Sequence, residues 1–209
     1  MNYKNKGLFI SFEGAECSGK STQILKLKNF FKKSKIPYKI TREPGGTKIN
    51  EILRKLILEK KYGISTTEEI LLLMSARFNH INSIIKPSLQ KGKVVISDRF
   101  ADSTFVYQGY VNKFGLKNTI LLHKTILNNF LPVKTFLFML DPHEIIKRIK
   151  KRKYSNKYDK VDVGFHKKVI QGYKKLSKNN NRFVIIDAEK QIDEIQQQIQ
   201  KSILKFLDK

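Results

Sequence analysis

A glycine-rich segment near the start of the chain has the residue types and spacing of a phosphate-binding loop. Gly14–Ser21 reads Gly-Ala-Glu-Cys-Ser-Gly-Lys-Ser, which fits the pattern G-x-x-x-x-G-K-[ST]. The glycines let backbone N–H groups converge on phosphate oxygens, a lysine here reaches the β- and γ-phosphates, and the serine hydroxyl ligates Mg²⁺. The residues expected to contact a nucleotide are Gly14, Ala15, Glu16, Cys17, Ser18, Gly19, Lys20, Ser21 and Thr22.

Asp98 is a second candidate for phosphate chemistry. It ends the apolar run that begins at Val94 and is followed by Arg99. An aspartate at the carboxyl end of a strand beside the phosphate loop can hold Mg²⁺ directly or through water. The alternative is an Asp98–Arg99 pair that only terminates the strand. We expect Ser21 and Asp98 to be the Mg²⁺ ligands. Cys17 has no histidine near it in the sequence, and we assign it no role as a thiol.

The elements that must position these residues alternate between short apolar runs and longer helical segments. This alternation predicts an α/β fold with a mainly parallel sheet. The predicted strands are Leu8–Glu13, Tyr38–Arg42, Val94–Asp98, Thr135–Asp141 and Phe183–Asp187. No repeat, linker or composition shift divides the sequence, so we expect residues 1–209 to form one domain.

Helix boundaries are indicated by capping residues. Thr66 with Glu69 predicts a capping box at the start of a long helix, and Asp141 followed by Pro142 predicts a helix directly after the fourth strand. The last helix is predicted to pack one stripe of apolar side chains against the sheet. That stripe consists of Ile192, Ile195, Ile199, Ile203 and Phe206.

The charge is strongly unbalanced. The 209 residues include 42 Lys and Arg against 18 Asp and Glu, a formal net charge of +24. Only seven of these cations are arginine, so we interpret most lysines as compositional background and each arginine as a candidate for bidentate anion recognition. One cysteine and no apolar run of about 20 residues predict a reducing compartment and no membrane span, hence a cytoplasmic location.

Three further segments carry a resemblance to one family, and the first and third of them, in this order and spacing, are quite specific to it. Residues 41–47 read TREPGGT, residues 71–77 read LLLMSAR, and residues 98–109 read DRFADSTFVYQG. With the phosphate loop, they make the sequence resemble the bacterial-type thymidylate kinases over essentially its whole length. The resemblance implies a P-loop NTPase fold with a five-stranded parallel sheet flanked by helices on both faces and a short mobile lid. It also implies phosphoryl transfer from ATP to dTMP with Mg²⁺, and a homodimer.

The resemblance also implies roles on the phosphate side of the site. Arg42 and Arg99 match arginines around the acceptor phosphate, and Glu16 matches a carboxylate near the acceptor's sugar hydroxyl and the reaction centre. Residues 147–163 match the lid, whose arginines close over ATP. The residues expected to act in catalysis are Lys20, Glu16, Arg99, Arg148 and Arg152.

On the base side, Arg77 matches an arginine that donates to a thymine carbonyl, and Thr104 matches a position that bonds the N3 edge. Tyr107 matches a tyrosine that favours deoxyribose. The alternatives are a surface salt bridge for Arg77 and core packing for Tyr107. The residues expected to line the dTMP site are Arg42, Leu73, Arg77, Arg99, Phe100, Ser103, Thr104, Tyr107 and Gln108.

Two positions depart from the family pattern. Leu73 stands where the family usually has a phenylalanine that stacks on thymine, so we expect a weaker base pocket unless Phe78 or Phe100 compensates. In the lid, Lys160 replaces a usual arginine, which removes bidentate contact there.

Two other functions compete with this hypothesis. The phosphate loop and the Asp-Arg pair are shared with other nucleoside monophosphate and deoxynucleoside kinases, from which the residues expected on the base side distinguish this sequence. The charge of +24 is also compatible with a P-loop ATPase that binds nucleic acid. No helix-turn-helix signature, aromatic ribonucleoprotein motif or zinc finger supports that class. We therefore expect a monomeric nucleotide, not a nucleic acid polymer or a membrane, as the partner.

Overall fold

Five parallel strands form the centre of the protein. The computed structural model describes residues 7–151 and 162–207. The strands are β1 (Leu8–Gly14), β2 (Tyr38–Arg42), β3 (Val94–Asp98), β4 (Lys134–Met139) and β5 (Phe183–Asp187). Their order in the sheet is β2-β3-β1-β4-β5, and every pairing is parallel. The predicted five-stranded α/β fold is confirmed.

Helices connect the strands. They are α1 (Lys20–Lys33), α2 (Lys48–Leu58), α3 (Thr66–His80), α4 (Lys86–Gln90), α5 (Ala101–Thr104), α6 (Leu116–Leu127), α7 (Pro142–Lys150), α8 (Val163–Ser177) and α9 (Ile192–Leu207). A π-helical segment, Ile81–Ile85, joins α3 to α4, and a second one, Phe105–Val111, continues α5.

Two predicted boundaries are corrected. The capping box of α3 is formed by Ser65 and Glu68, one residue before the predicted pair, because the Ser65 hydroxyl accepts from the Glu68 N–H while the Glu68 carboxylate accepts from the Ser65 N–H at 2.7 Å. The strand β4 ends at Met139, two residues early, because Asp141 serves as the N-cap of α7 and accepts from the His143 N–H at 2.8 Å.

Alternate residues of the sheet pack against helices on opposite faces. In β1, Ile10 and Phe12 belong to an apolar cluster with α1, α8 and α9, whereas Phe9 belongs to a second cluster with α3 and α6. This is the period-two pattern of a strand buried on both faces. From the predicted stripe of α9, Ile195, Ile199 and Ile203 are buried, whereas Ile192 at the first residue of the helix is 50% exposed and Phe206 is partly buried.

The strand register brings the candidate site together. Phe12 of β1 lies beside Asp98 of β3, and Asp98 lies beside Arg42 of β2. The carboxyl ends of these three strands therefore open onto one edge of the sheet, which is where open α/β sheets bind ligands.

The segment predicted as a lid, residues 147–163, begins and ends inside helices. Its first residues form the last turn of α7, where Glu144 pairs with Lys147 at 3.3 Å and Ile145 is buried. Its end is the start of α8, capped by Asp162, which accepts from the Phe165 N–H at 2.8 Å. Arg152 and Lys160 lie outside the described residues. Across the residues that the structure describes, no helix is long and apolar enough to cross a membrane.

Candidate active site

The phosphate loop links β1 to α1. Gly14 and Gly19 both have positive φ, at 135° and 91°, which glycine adopts without strain. A Cβ at Gly14 would also clash with the carbonyl oxygen of Phe138 on the neighbouring strand. Within the described residues, no side chain caps the N-terminus of α1. The first N–H groups of a helix have no partner inside it, so this end of α1 can receive an anion.

Lys20 turns back over this loop. Its Nζ donates to the carbonyl oxygens of Gly14 at 3.1 Å and Ala15 at 2.7 Å, and to the Ser18 hydroxyl at 3.2 Å. Burial and the neighbouring Arg99 guanidinium lower the pKa of Lys20 to about 8. The amine is therefore mostly protonated at neutral pH, and it places a positive charge within the loop.

The two expected metal ligands are neighbours. The Ser21 hydroxyl donates to a carboxylate oxygen of Asp98 at 3.2 Å. The described residues contain no group of three or more His, Cys, Asp or Glu side chains that could hold a metal. One hydroxyl and one carboxylate are oxygen donors of the kind that Mg²⁺ prefers when substrate phosphates and water complete its coordination. The pair therefore fits Mg²⁺ bound together with a nucleotide.

Arg99 lies at the centre of a buried polar cluster. Its guanidinium donates to Glu16 at 2.8 Å and to Ser103 at 3.0 Å, and its carbon atom lies 5.2 Å from the centre of the Tyr107 ring. The Tyr107 hydroxyl donates to the other Glu16 oxygen at 2.8 Å. Burial opposes ionisation of Glu16, but Arg99, Lys20 and the Tyr107 hydroxyl outweigh it and lower the pKa of that carboxyl. The cluster holds an ionised carboxylate and a guanidinium next to the phosphate loop.

Arg77, expected at the base, is a buried residue of α3 with 1% of its surface exposed. Its Nε donates to Glu43 at 2.7 Å, and its Nη2 donates to the Thr104 hydroxyl at 2.8 Å. The guanidinium carbon lies 5.3 Å from the centre of the Phe100 ring. The alternative of a surface salt bridge for Arg77 is wrong, because the pair with Glu43 is internal.

One cavity of about 340 Å³ brings both ends of the site together. It is lined by all nine residues expected at the dTMP site, and also by Glu16, Cys17, Lys20, Ser21 and Asp98. Of the two aromatic residues considered as replacements for the missing stacking ring, Phe100 lines the cavity. Phe78 is 55% exposed on α3 and is not among the lining residues. The volume lies in the range of small-molecule sites.

Arg42 and Arg148, two further cations expected at the site, lie in different places relative to the cavity. Arg42 lines the cavity, but its side chain is 53% exposed and pairs with Glu51 at 2.9 Å. Arg148 on α7 lies on the other side of the phosphate loop, where its guanidinium donates to the Cys17 carbonyl at 3.5 Å and the Ala188 carbonyl at 3.3 Å. Arg148 is therefore placed beside the loop, outside the cavity that holds the base-side residues.

Sequence reasoning missed several cavity residues. Arg54 on α2 lines the cavity and donates to the Pro44 carbonyl at 2.7 Å; the scarcity of arginine was a signal that could have found it. Glu43 also lines the cavity, although its TREPGGT segment was assigned a role only at Arg42. His80 and Glu13 are buried behind the site, and no sequence pattern marked either of them.

Comparison with known proteins assigns the family. A thymidylate kinase family profile matches residues 12–199. A thymidylate kinase of Mycoplasma capricolum subsp. capricolum is 41% identical over 204 residues, covering 96% of each chain. A thymidylate kinase of Caldicellulosiruptor saccharolyticus is 37% identical over 204 residues, covering 98% of this chain and 99% of that protein. With the phosphate loop and the base-side residues sharing one cavity, these matches show that the chain belongs to the thymidylate kinase family.

Proposed function

We propose that the protein transfers the γ-phosphoryl group of ATP to dTMP, giving ADP and dTDP. The observation that carries this proposal is that one cavity is lined both by Lys20 and Ser21 of the phosphate loop and by the base-side residues Arg77 and Thr104. A nucleoside monophosphate would fit this cavity with its phosphate toward Arg99 and its base toward Arg77. Family membership supports the same reaction and its use of ATP.

In this reaction an oxygen of the dTMP phosphate attacks the γ-phosphorus. The bond from the γ-phosphorus to the bridging oxygen breaks, and ADP leaves with that electron pair. A phosphate monoester has a second pKa of about 6, so the attacking oxygen is already anionic at neutral pH and needs no general base. The residues therefore have to align two anions and neutralise their charge.

The roles proposed for the described residues follow from that requirement. Lys20 bridges the β- and γ-phosphates, and Arg99 and Arg42 bind the acceptor phosphate. Ser21 and Asp98 would hold Mg²⁺, which when bound neutralises charge on the β- and γ-phosphates. Arg148 lies beside the phosphate loop, where its charge stabilises the phosphates of ATP. We propose the same role for Arg152. Glu16 orients Arg99 and faces the acceptor sugar.

A coupled assay of ADP release tests this function. With Mg²⁺ and ATP, we expect the highest kcat/KM for dTMP in a panel of dTMP, dUMP, UMP, CMP, dGMP and thymidine. Activity confined to the ribonucleotides would overturn the proposal. A high-affinity interaction with DNA or RNA at physiological salt, without any kinase activity, would favour the nucleic-acid alternative.

Leu73 provides a prediction about the base pocket. It is buried, lines the cavity and lies one helical turn before Arg77. We expect Leu73→Phe to lower the KM for dTMP by about 2- to 10-fold, because a ring stacked on the base adds roughly 0.5–1.5 kcal/mol. The matched control is Leu25→Phe on α1, where the side chain is 59% exposed and outside the cavity. An unchanged KM in Leu73→Phe would show that the missing ring does not limit affinity.

We also propose a homodimer. Exposed apolar side chains occur on two helices that pack against each other, Leu71 and Phe78 on α3 and Leu121 on α6, with 55–62% of each surface exposed. Burying such residues in a self-association interface removes apolar surface from water. Light scattering should give twice the mass of one chain, and the paired substitutions Phe78→Glu and Leu121→Glu should give a monomer. A monomeric wild-type protein would refute this proposal.

A further inference from the structure

One guanidinium nitrogen of Arg77, Nη1, has no oxygen partner among the described residues. Its Nε and Nη2 are used by Glu43 and Thr104, and Nη2 also lies 3.4 Å from the Phe100 carbonyl oxygen. Among the residues that the structure describes, the partner of Nη1 is the sulfur of Met74 at 3.9 Å, which is a weak acceptor. The direction in which Nη1 points is therefore set by the contacts that fix the rest of the guanidinium.

Glu43 is the charged member of those contacts. It is 6% exposed, and its two oxygens are divided between Arg77 and His80, whose Nδ1 lies 2.8 Å away. Burial opposes the ionisation of Glu43, but Arg77 and His80 outweigh it and lower the pKa of the carboxyl. An ionised carboxylate accepts only, so Nδ1 of His80 carries the shared proton.

His80 connects this carboxylate to the sheet. The ring is fully buried, and its Nε2 lies 2.7 Å from the Thr41 hydroxyl at the end of β2. A hydrogen bond joins Nε2 and the Thr41 hydroxyl, and it ties the ring to β2 whichever of the two atoms donates. The backbone N–H of Glu43 also donates to the Asp98 carbonyl oxygen at 3.0 Å. Glu43 is thus fixed at its backbone by β3 and at its side chain by His80.

We propose that Glu43, held by His80, is a positioning residue that sets the orientation of Arg77 and so determines which base edge the site accepts. The proposal rests on the function above. A guanidinium N–H directed at the base favours a carbonyl acceptor, as in thymine, and disfavours an amino group at the same position, as in cytosine, because two donors would face each other. Without the Glu43 carboxylate, Arg77 keeps only Thr104 as a strong hydrogen-bond partner. The site then discriminates less between thymine and cytosine.

The test is Glu43→Gln, which keeps the size of the side chain and removes its charge. We expect the kcat/KM for dTMP to fall by about 10-fold or more, mostly through KM, because a buried charged hydrogen bond is replaced by a neutral one. The ratio of kcat/KM for dTMP over dCMP should fall by a similar factor. The ratio of dTMP over dUMP should stay constant, because these bases differ only at the C5 methyl. If kcat/KM fell by the same factor for dTMP and for dCMP, the proposal would be overturned.

A matched pair at His80 keeps the proposal testable if Glu43→Gln does not fold. Asparagine places an amide N–H near the position of Nδ1, whereas leucine has a similar size and no donor. We expect His80→Asn to retain the dTMP over dCMP ratio within about 3-fold and His80→Leu to lose it, since only the former can hold the carboxylate. Equal ratios in the two variants would contradict the inference. The wild-type ratio is measured first: no preference for dTMP refutes the proposed function, whereas a preference unchanged by the variants refutes only the positioning role.

Discussion

Replacement of Lys20 by methionine is expected to lower kcat by about 10³-fold or more, because loss of a fixed cation at the transferring phosphoryl group removes charge stabilisation of that order. Methionine has a similar length and no charge. The ammonium of Lys20 lies within 3.2 Å of two loop carbonyls and the Ser18 hydroxyl, so it is already held inside the loop that is to receive the phosphates. Steady-state ADP release at saturating ATP and dTMP measures the effect.

The control for Lys20→Met is the binding of dTMP, followed by calorimetry. Because the base-side residues Arg77 and Thr104 are part of separate elements, dTMP affinity should change little. A variant that keeps more than a tenth of the wild-type kcat would show that Lys20 does not act on the transferred group. A variant that binds neither nucleotide and melts early would indicate a folding defect, and the milder Lys20→Arg would then replace it.

Arg99→Lys is expected to lower the kcat/KM for dTMP by about 10²-fold, although the charge is conserved, because lysine cannot reproduce a planar fork with several donors. Two nitrogens of the Arg99 guanidinium are directed at different partners, Glu16 and Ser103, and the group lies over the Tyr107 ring. A single ammonium can make only part of this set. Kinetics with varied dTMP at saturating ATP provide the measurement.

Arg182→Lys is a matched control for that experiment. Arg182 is also largely buried and donates two hydrogen bonds to Asp102, at 2.8 and 2.7 Å, but it does not line the cavity. Its replacement should lower the melting temperature and leave the KM for dTMP close to that of the wild type. If both variants lowered acceptor use to the same extent, the effect of Arg99→Lys would reflect the loss of any buried guanidinium pair.

The strands could be predicted closely because they are short runs rich in β-branched and aromatic residues, which favour strands. The central strands β1, β3 and β4 are mostly buried, whereas the edge strands β2 and β5 are only partly so. The sequence limits of β2, β3 and β5 agree with the structure, whereas β4 was extended into Asp141. The error at Asp141 has a local cause. The residue could end a strand or cap a helix, and Pro142 at the first helical position favours the cap. Similarly, Ser65 and Thr66 are both good caps, and only the backbone of α3 decides between them.

The residues of the candidate site also differ in how far the sequence predicts them. Those of the phosphate loop are contiguous, and their spacing alone predicts the chemistry. The base-side residues were found through three separated segments whose order is characteristic of a family. Glu43 and His80 were not found, because they are 37 positions apart and their relation to Arg77 exists only when α3 packs beside the loop that follows β2.

The sequence by itself determined the phosphate loop and the parallel α/β architecture, whereas the residues expected around the acceptor came from resemblance to a family. The loop and the architecture are encoded in local spacing and in the alternation of apolar residues, which are properties of contiguous segments. The tertiary structure decided which of the buried charges act together. Glu16 pairs with Arg99 across 83 positions and Glu43 with Arg77 across 34. In a buried site an unpaired charge is strongly unfavourable, so the packing of distant elements, and not the local sequence, selects each partner.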